Sequence, residues 1–98
     1  MPDTAELVIE SVFVALREAE DKHPGWPTDP IHAAAILGEE AGELLQAAID
    51  FTYTKQPYGV ALMEKEAAQC AAMGIRFLLG MMRYKRQPGE QRELKLKD

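Results

Sequence analysis

The chain has 98 residues and a formal net charge of −5, and 47% of its residues are hydrophobic. This length allows one domain with a modest core, the apolar content excludes a disordered chain, and the negative charge argues against a nucleic-acid-binding surface. A single cysteine, Cys70, excludes a disulfide within the chain. We find no signal-peptide pattern and no apolar stretch long enough to span a bilayer. We therefore expect a cytoplasmic protein with no nucleic-acid or membrane partner.

The first predicted helix runs from about Thr4 to about Glu20. Asp3 or Thr4 can cap it, and Glu6 stands three residues after Asp3, as in a capping box. The apolar residues of this helix cover much of its circumference, which predicts more than one packing neighbour. They are Leu7, Val8, Ile9, Val12, Phe13, Val14 and Leu16.

A break at 22–29 follows, because Pro24, Gly25 and Pro27 are incompatible with a continuous helix. Asp29 is then typical of a helix cap and Pro30 of a first helical position. The second helix is predicted from Pro30 to around Ile49 or Thr52. Small and apolar residues form one broad stripe along it, which allows close approach of a neighbouring helix. The stripe comprises Ile31, Ala34, Ala35, Gly38, Ala41, Gly42, Leu45, Ala48 and Ile49.

A second break at 55–59 precedes a third helix, predicted from about Val60 to about Tyr84. We divide the chain into a helical domain over residues 1–85 and a charged C-terminal tail over residues 86–98, whose order the sequence does not decide. The expected fold is all-α: an antiparallel helical hairpin of the second and third helices plus the N-terminal helix. Because this core is thin, dimerisation is expected to complete a four-helix-bundle core, as a homodimer or a larger homo-oligomer.

Two glutamates occupy positions where these helices should be apolar. At about 100° per residue, Glu40 shares its strip with apolar residues, and so does Glu66. The strip of Glu40 contains Ala33, Ile36, Leu37, Leu44 and Ala47, and that of Glu66 contains Leu62, Cys70, Met73, Phe77 and Tyr84. A second polar group follows each glutamate by three residues, Glu43 and Gln69 respectively. Unpaired carboxylates facing a core are unfavourable, so this arrangement predicts a cation between the helices.

Oxygen ligands of this kind suit Mg²⁺, with Mn²⁺ as an alternative. The residues do not fit a di-iron site, which needs Glu-x-x-His pairs, or a zinc site, which needs clustered Cys and His. Neither a Walker-type loop nor a nucleophile–base set is evident. The alternative interpretation is that these glutamates belong to solvated helix faces, and for Glu39 that interpretation is equally good.

At these residues the chain resembles the MazG-like, all-α nucleoside triphosphate pyrophosphohydrolases. Glu39-Glu40-Ala41-Gly42-Glu43 followed by Glu66-Ala67-Ala68-Gln69 is similar to the family's EExxE…ExxD signature, and the resemblance covers roughly residues 30–82. It implies Mg²⁺-dependent hydrolysis of a (deoxy)nucleoside triphosphate to the monophosphate and pyrophosphate. It also implies dimers or tetramers built on a four-helix core.

By position, the resemblance makes Glu40, Glu43 and Glu66 metal ligands. It gives Glu39 and Glu43 catalytic roles, in which one of them orients the attacking water. Gln69 stands where the family has its final Asp. Its amide oxygen can still coordinate a metal ion, but without a negative charge, so activity is expected to be weakened or altered.

Four further residues are candidates for substrate binding. Arg76, Lys65 and Arg83 are predicted to lie near the edge of the third helix that carries Gln69, where they can meet phosphates. Arg76 is predicted to be nearest to the acidic site and is the preferred phosphate contact, and a solvated basic edge is the alternative for Lys65 and Arg83. Trp26 is a candidate for stacking on a nucleobase, with a packing role as its alternative.

Two other functional classes stay open at the level of sequence. One is a non-catalytic helical dimerisation or interaction module, and the other is a nucleotide-binding protein in which the glutamine at the motif's final position has weakened hydrolysis.

Overall fold

The computed structural model describes residues 4–86, and over this range the chain is all-helical, as the sequence predicts. Helix α1 spans Ala5–Lys22, α2 spans Pro30–Tyr53 and α3 spans Gly59–Leu79, followed by a short 3₁₀ turn at Met81–Arg83. Residues 87–98 of the predicted charged tail lie outside the described residues, as does Asp3, one of the two expected caps of α1. No helix within residues 4–86 is both long and apolar enough to cross a membrane.

The starts of the first two helices are fixed by side-chain caps. The Thr4 hydroxyl accepts a hydrogen bond from the backbone N–H of Leu7 at 3.3 Å. A carboxylate oxygen of Asp29 accepts from the N–H of Ile31 at 2.9 Å, with Pro30 at the first helical position. Each cap satisfies a backbone donor that has no partner within the helix. Both α1 and α2 end slightly later than the sequence predicts.

Helix α3 ends earlier than predicted, at Leu79 instead of about Tyr84. Gly80 follows, and glycine is a poor helix former. A Cβ atom at Gly80 would lie 3.0 Å from the Trp26 ring and 3.0 Å from the Tyr84 hydroxyl oxygen. The Tyr84 hydroxyl in turn donates to the carbonyl of Phe77 at 2.8 Å, which satisfies a carbonyl in the last turn of α3. The chain therefore folds back here because its tertiary contacts outweigh the helical pattern.

Helix α3 packs against both α1 and α2. Leu16 of α1 and Ala72 and Met73 of α3 form the buried core, with half-buried apolar residues around them. On α2 the buried residues are Ala33 and Ala47, which belong to the strip that contains Glu40. The helical-wheel assignment of Glu40 to the packed side of α2 is therefore confirmed.

The opposite face of α2 is open. Of the broad stripe of small and apolar residues, every member is exposed except Ala48, which is half-buried. On α1, Ile9 and Phe13 are also about half exposed. No large side chain among the described residues is fully buried, and many of their large apolar side chains are exposed.

Candidate metal centre

Three carboxylates meet where α2 packs on α3. Glu40, Glu43 and Glu66 each place one carboxylate oxygen within 4.8 Å of the other two. Glu40 and Glu43 are three residues apart on α2 and so point to the same side of that helix. Glu66 reaches them from α3 because its own apolar strip packs against α2. We call these three residues the acidic cluster.

The acidic cluster is partly withdrawn from water. Glu40 and Glu66 are half-buried, whereas Glu43 is exposed. One oxygen of Glu40 (Oε2) and one of Glu66 (Oε1) are buried without a hydrogen-bond partner in the described part of the chain. Leaving a buried acceptor unsatisfied costs about 1–3 kcal/mol, and more when the group is charged. A nearby positive charge would offset this cost for both oxygens.

The pKa of Glu40 reflects this surplus of negative charge. Burial is the main cause that raises its pKa, and the neighbouring Glu43 carboxylate is the next. The charges of Glu66 and Glu39 raise the pKa of Glu40 further. A cation among these oxygens would reverse each of the charge effects, because an opposite charge favours the ionised carboxylate.

The residues present fit a magnesium ion. The Mg–O distance is about 2.1 Å, so two oxygens bound to one Mg²⁺ lie at most about 4.2 Å apart. The oxygens of the acidic cluster lie within 4.8 Å of one another, so small side-chain rotations bring them onto one ion. The donors are all oxygen atoms, as Mg²⁺ and Mn²⁺ prefer, and the cluster contains neither histidine nor cysteine.

A groove of about 900 Å³ opens beside the acidic cluster. Glu40, Lys65 and Gln69 line its α2 and α3 sides, while His23 and Trp26 line the side formed by the loop after α1. Its volume falls within the range typical of small-molecule sites. The metal centre and the groove share Glu40 and therefore form one continuous candidate site.

The predicted ligands and catalytic residues separate into two groups. Glu40, Glu43 and Glu66 converge, and half-buried Gln69 lines the adjoining groove. Glu39 is exposed and does not belong to the acidic cluster, although its charge acts on Glu40.

The four predicted substrate-binding residues occupy different positions. Exposed Lys65 lines the groove, as do half-buried Trp26 and buried Arg76. The guanidinium of Arg76 donates its hydrogen bonds to backbone carbonyls. Arg83 lines a separate pocket of about 250 Å³, away from the acidic cluster. The substrate roles of these four residues stay predictions.

Sequence reasoning did not anticipate the contribution of α1 to the groove. Glu18, Asp21 and Lys22 in its last turns line the groove together with residues of α2 and α3. The available signal was the position of these residues immediately before the break at Pro24, where the chain turns towards α2.

In comparisons with protein-family models, with curated proteins and with solved structures, nothing matched this chain. The resemblance to the MazG-like hydrolases therefore rests on the motif residues of the sequence and stays a prediction.

Proposed function

We propose that this protein is a magnesium-dependent hydrolase that converts a (deoxy)nucleoside triphosphate to the monophosphate and pyrophosphate. One observation carries the proposal: three carboxylates from two helices converge, and two of their oxygens are buried without a partner. The same residues carry the resemblance to the MazG-like family. The adjoining groove supplies space for the rest of a nucleotide.

In this proposal Glu40, Glu43 and Glu66 hold Mg²⁺, or Mn²⁺ in its place. When bound, the ion supplies positive charge that offsets the negative charge of the triphosphate and of the leaving pyrophosphate. Gln69 lines the adjoining groove and is proposed as a neutral ligand or as a hydrogen-bond partner of water. Glu43 and Glu39 are exposed to solvent and are the residues proposed to orient the attacking water.

Lys65 provides a positive charge at the groove and is the best placed of the predicted phosphate contacts, because its side chain is exposed while it lines the groove. A lysine ammonium in this position acts as a point charge on the phosphates. The carboxylates of the acidic cluster repel free triphosphate, so a bound cation and Lys65 are both needed to make the site attractive to it.

We further propose that two copies of the chain associate through the exposed face of α2. We infer that α2 and α3 form an antiparallel hairpin, and the approach of Glu40 to Glu66 and of Phe51 to Gly59 supports this arrangement. Pairing two such hairpins gives a four-helix core and covers the small-residue stripe of α2, which a single chain leaves exposed. A homodimer, or a tetramer made from two dimers, follows from this arrangement.

The second candidate function is a helical interaction module without catalysis, and the exposed face of α2 is the observation that favours it. A third is nucleotide binding with weakened hydrolysis, which the uncharged Gln69 favours. The interaction module has no requirement for the acidic cluster, so neutralising its carboxylates is expected to be harmless or stabilising in that case.

The test is a panel of canonical and modified (d)NTPs, incubated with Mg²⁺ and scored for pyrophosphate release. The wild-type protein is compared with the double variant Glu40→Gln/Glu66→Gln. Glu64→Gln is the matched control, since Glu64 is an exposed residue of α3 outside the acidic cluster. The proposal requires release by the wild type and the control and loss of release in the double variant. Equal release by all three, or none by the wild type, refutes it.

A further inference from the structure

Arg76 is a buried cation whose partners are backbone carbonyls. Its side chain is 6% exposed. One terminal nitrogen donates to the carbonyl of His23 at 2.8 Å and to that of Gly25 at 3.2 Å, and the other lies 3.5 Å from the carbonyl of Ala19. These carbonyls belong to the C-terminal end of α1 and the loop after it, where a helix presents negative partial charge. The guanidinium therefore links the C-terminal end of α1 to α3 through hydrogen bonds.

Trp26 is held by the same residue and by the end of α3. The Arg76 guanidinium lies over the Trp26 ring, 4.9 Å from its centroid, within the range of a cation–π interaction. The indole N–H of Trp26 donates to the Tyr84 hydroxyl at 2.9 Å. That hydroxyl donates onward to the carbonyl of Phe77 at 2.8 Å. Trp26 is thus fixed on its ring face and at its polar edge, which leaves it little freedom to move towards a ligand.

These contacts connect α3 to the loop that lines the groove. The loop residues His23, Gly25 and Trp26 line one side of it, and Glu40 and Gln69 line the other. Arg76 bonds to the carbonyls of His23 and Gly25, so it holds that side at a fixed distance from the acidic cluster. The three hydrogen bonds that the Arg76 guanidinium donates within residues 4–86 all go to backbone carbonyls of α1 and the loop after it.

We propose that Arg76 is a positioning residue: through Trp26 and the loop carbonyls it sets the groove to the width of a nucleotide, and it does not itself contact phosphate. This inference depends on the proposed function, because it names the residue that shapes the substrate site. It assigns Trp26 the role of a fixed wall held by Arg76. Lysine cannot replace Arg76 in this role, because it lacks the planar fork that reaches several carbonyls at once.

Trp26 is the single tryptophan of the chain, so its fluorescence reports directly on this arrangement. The test compares Arg76→Lys and Trp26→Phe with the wild type, and Arg17→Lys, at an exposed position of α1, is the control. Three quantities are measured: the emission maximum of Trp26 where the variant retains it, the affinity for a non-hydrolysable α,β-imido nucleoside triphosphate with Mg²⁺, and the KM and kcat of pyrophosphate release.

For Arg76→Lys we expect Trp26 emission to shift to longer wavelength without ligand, because the loop opens to water. Analogue affinity should weaken and KM should rise about tenfold, with kcat at saturation within about twofold of wild type. The magnesium-dependent rise in melting temperature should remain, since the acidic cluster is intact. Trp26→Phe keeps an aromatic ring over the guanidinium but loses the bond to Tyr84, so KM should rise by a smaller factor, roughly twofold to fivefold.

Unchanged Trp26 emission with a large fall in kcat for Arg76→Lys would overturn the proposal in favour of direct contact between Arg76 and phosphate. Unchanged emission together with unchanged analogue affinity would overturn it altogether. A wild-type protein that binds the analogue but releases no pyrophosphate refutes hydrolysis alone, and the emission and affinity measurements then still decide the role of Arg76. A wild type that does neither refutes both proposals.

Discussion

Replacing Glu40 with glutamine should stabilise the metal-free protein. The oxygens of Glu40, Glu43 and Glu66 lie within 4.8 Å of one another. At that separation two unit charges repel by about 3.5 kcal/mol at an effective dielectric constant of 20 and by about 0.9 kcal/mol in bulk water. Glu43 is exposed and Glu40 holds its proton more tightly than usual, so the repulsion lies towards the lower limit. Summed over its two neighbours, Glu43 and Glu66, we expect the free energy of unfolding to rise by about 2 kcal/mol, which raises the melting temperature by roughly 8–16 °C.

Adding Mg²⁺ should raise the free energy of unfolding of the wild type more than that of the Glu40→Gln variant. At ten times its Kd, Mg²⁺ stabilises the folded protein by RT ln 11, or about 1.4 kcal/mol. If loss of the Glu40 carboxylate weakens binding about tenfold, the same concentration stabilises the variant by RT ln 2, or about 0.4 kcal/mol. Glu40→Gln should therefore melt above the wild type in EDTA but respond much less to Mg²⁺.

The assay is thermal unfolding followed by circular dichroism at one fixed protein concentration, in EDTA and in MgCl₂. Glu64→Gln removes an equal charge from the exposed surface of α3 and should change the free energy of unfolding by no more than about 0.5 kcal/mol. Its magnesium response should match that of the wild type. A Glu40→Gln variant that melts at or below the wild type in EDTA, or that gains as much from Mg²⁺, would refute the reasoning.

The metal-free wild type should lose stability as pH rises through the raised pKa of Glu40, since the folded state keeps this proton to higher pH than the unfolded chain does. Urea titrations should show that Glu40→Gln removes this part of the pH dependence, and identical slopes would contradict it. Gln69→Asp should bind Mg²⁺ about tenfold more tightly and release pyrophosphate faster. An unchanged Kd in calorimetry would place Gln69 away from the ion. Gly42→Leu, on the open face of α2, should leave the helices folded but dissociate the dimer, so that light scattering gives the molar mass of one chain. Persistence of the oligomer would assign its interface to another face. Gly80→Ala should lower the free energy of unfolding by about 1–3 kcal/mol, because its Cβ would lie 3.0 Å from Trp26. An unchanged denaturation midpoint would show that the ring moves aside freely.

Short-range sequence signals predict most of the helix boundaries, but they do not predict a boundary that depends on residues far apart in the chain. The breaks at Pro24 and at 55–59, the cap at Asp29 and the helical period are all short-range signals, and the structure follows them. The end of α3 was placed several residues too late because the apolar pattern continues past Leu79. What ends the helix is the packing of Trp26 and Tyr84 at Gly80, and Trp26 is more than fifty residues away in the chain.

The acidic cluster was predictable for a specific physical reason. A helix repeats every 3.6 residues, so a glutamate on an apolar strip must face whatever that strip packs against. Glu40 and Glu66 each satisfy this condition, and the packing of α2 on α3 then brings them together. The separation of their oxygens, and the fact that two oxygens have no partner, depend on how closely the helices approach.

The sequence by itself determined that this protein is helical, where the turns before α2 and α3 fall and which carboxylates point inward, because each of these follows from backbone periodicity and from capping within a few residues. Only the tertiary structure decided that α1 forms one side of the groove. It also decided that the side chain of Arg76 donates hydrogen bonds to the carbonyls of Ala19, His23 and Gly25. A guanidinium donates equally well to a phosphate or to a carbonyl, and which of them it meets depends on the packing of segments far apart in the chain.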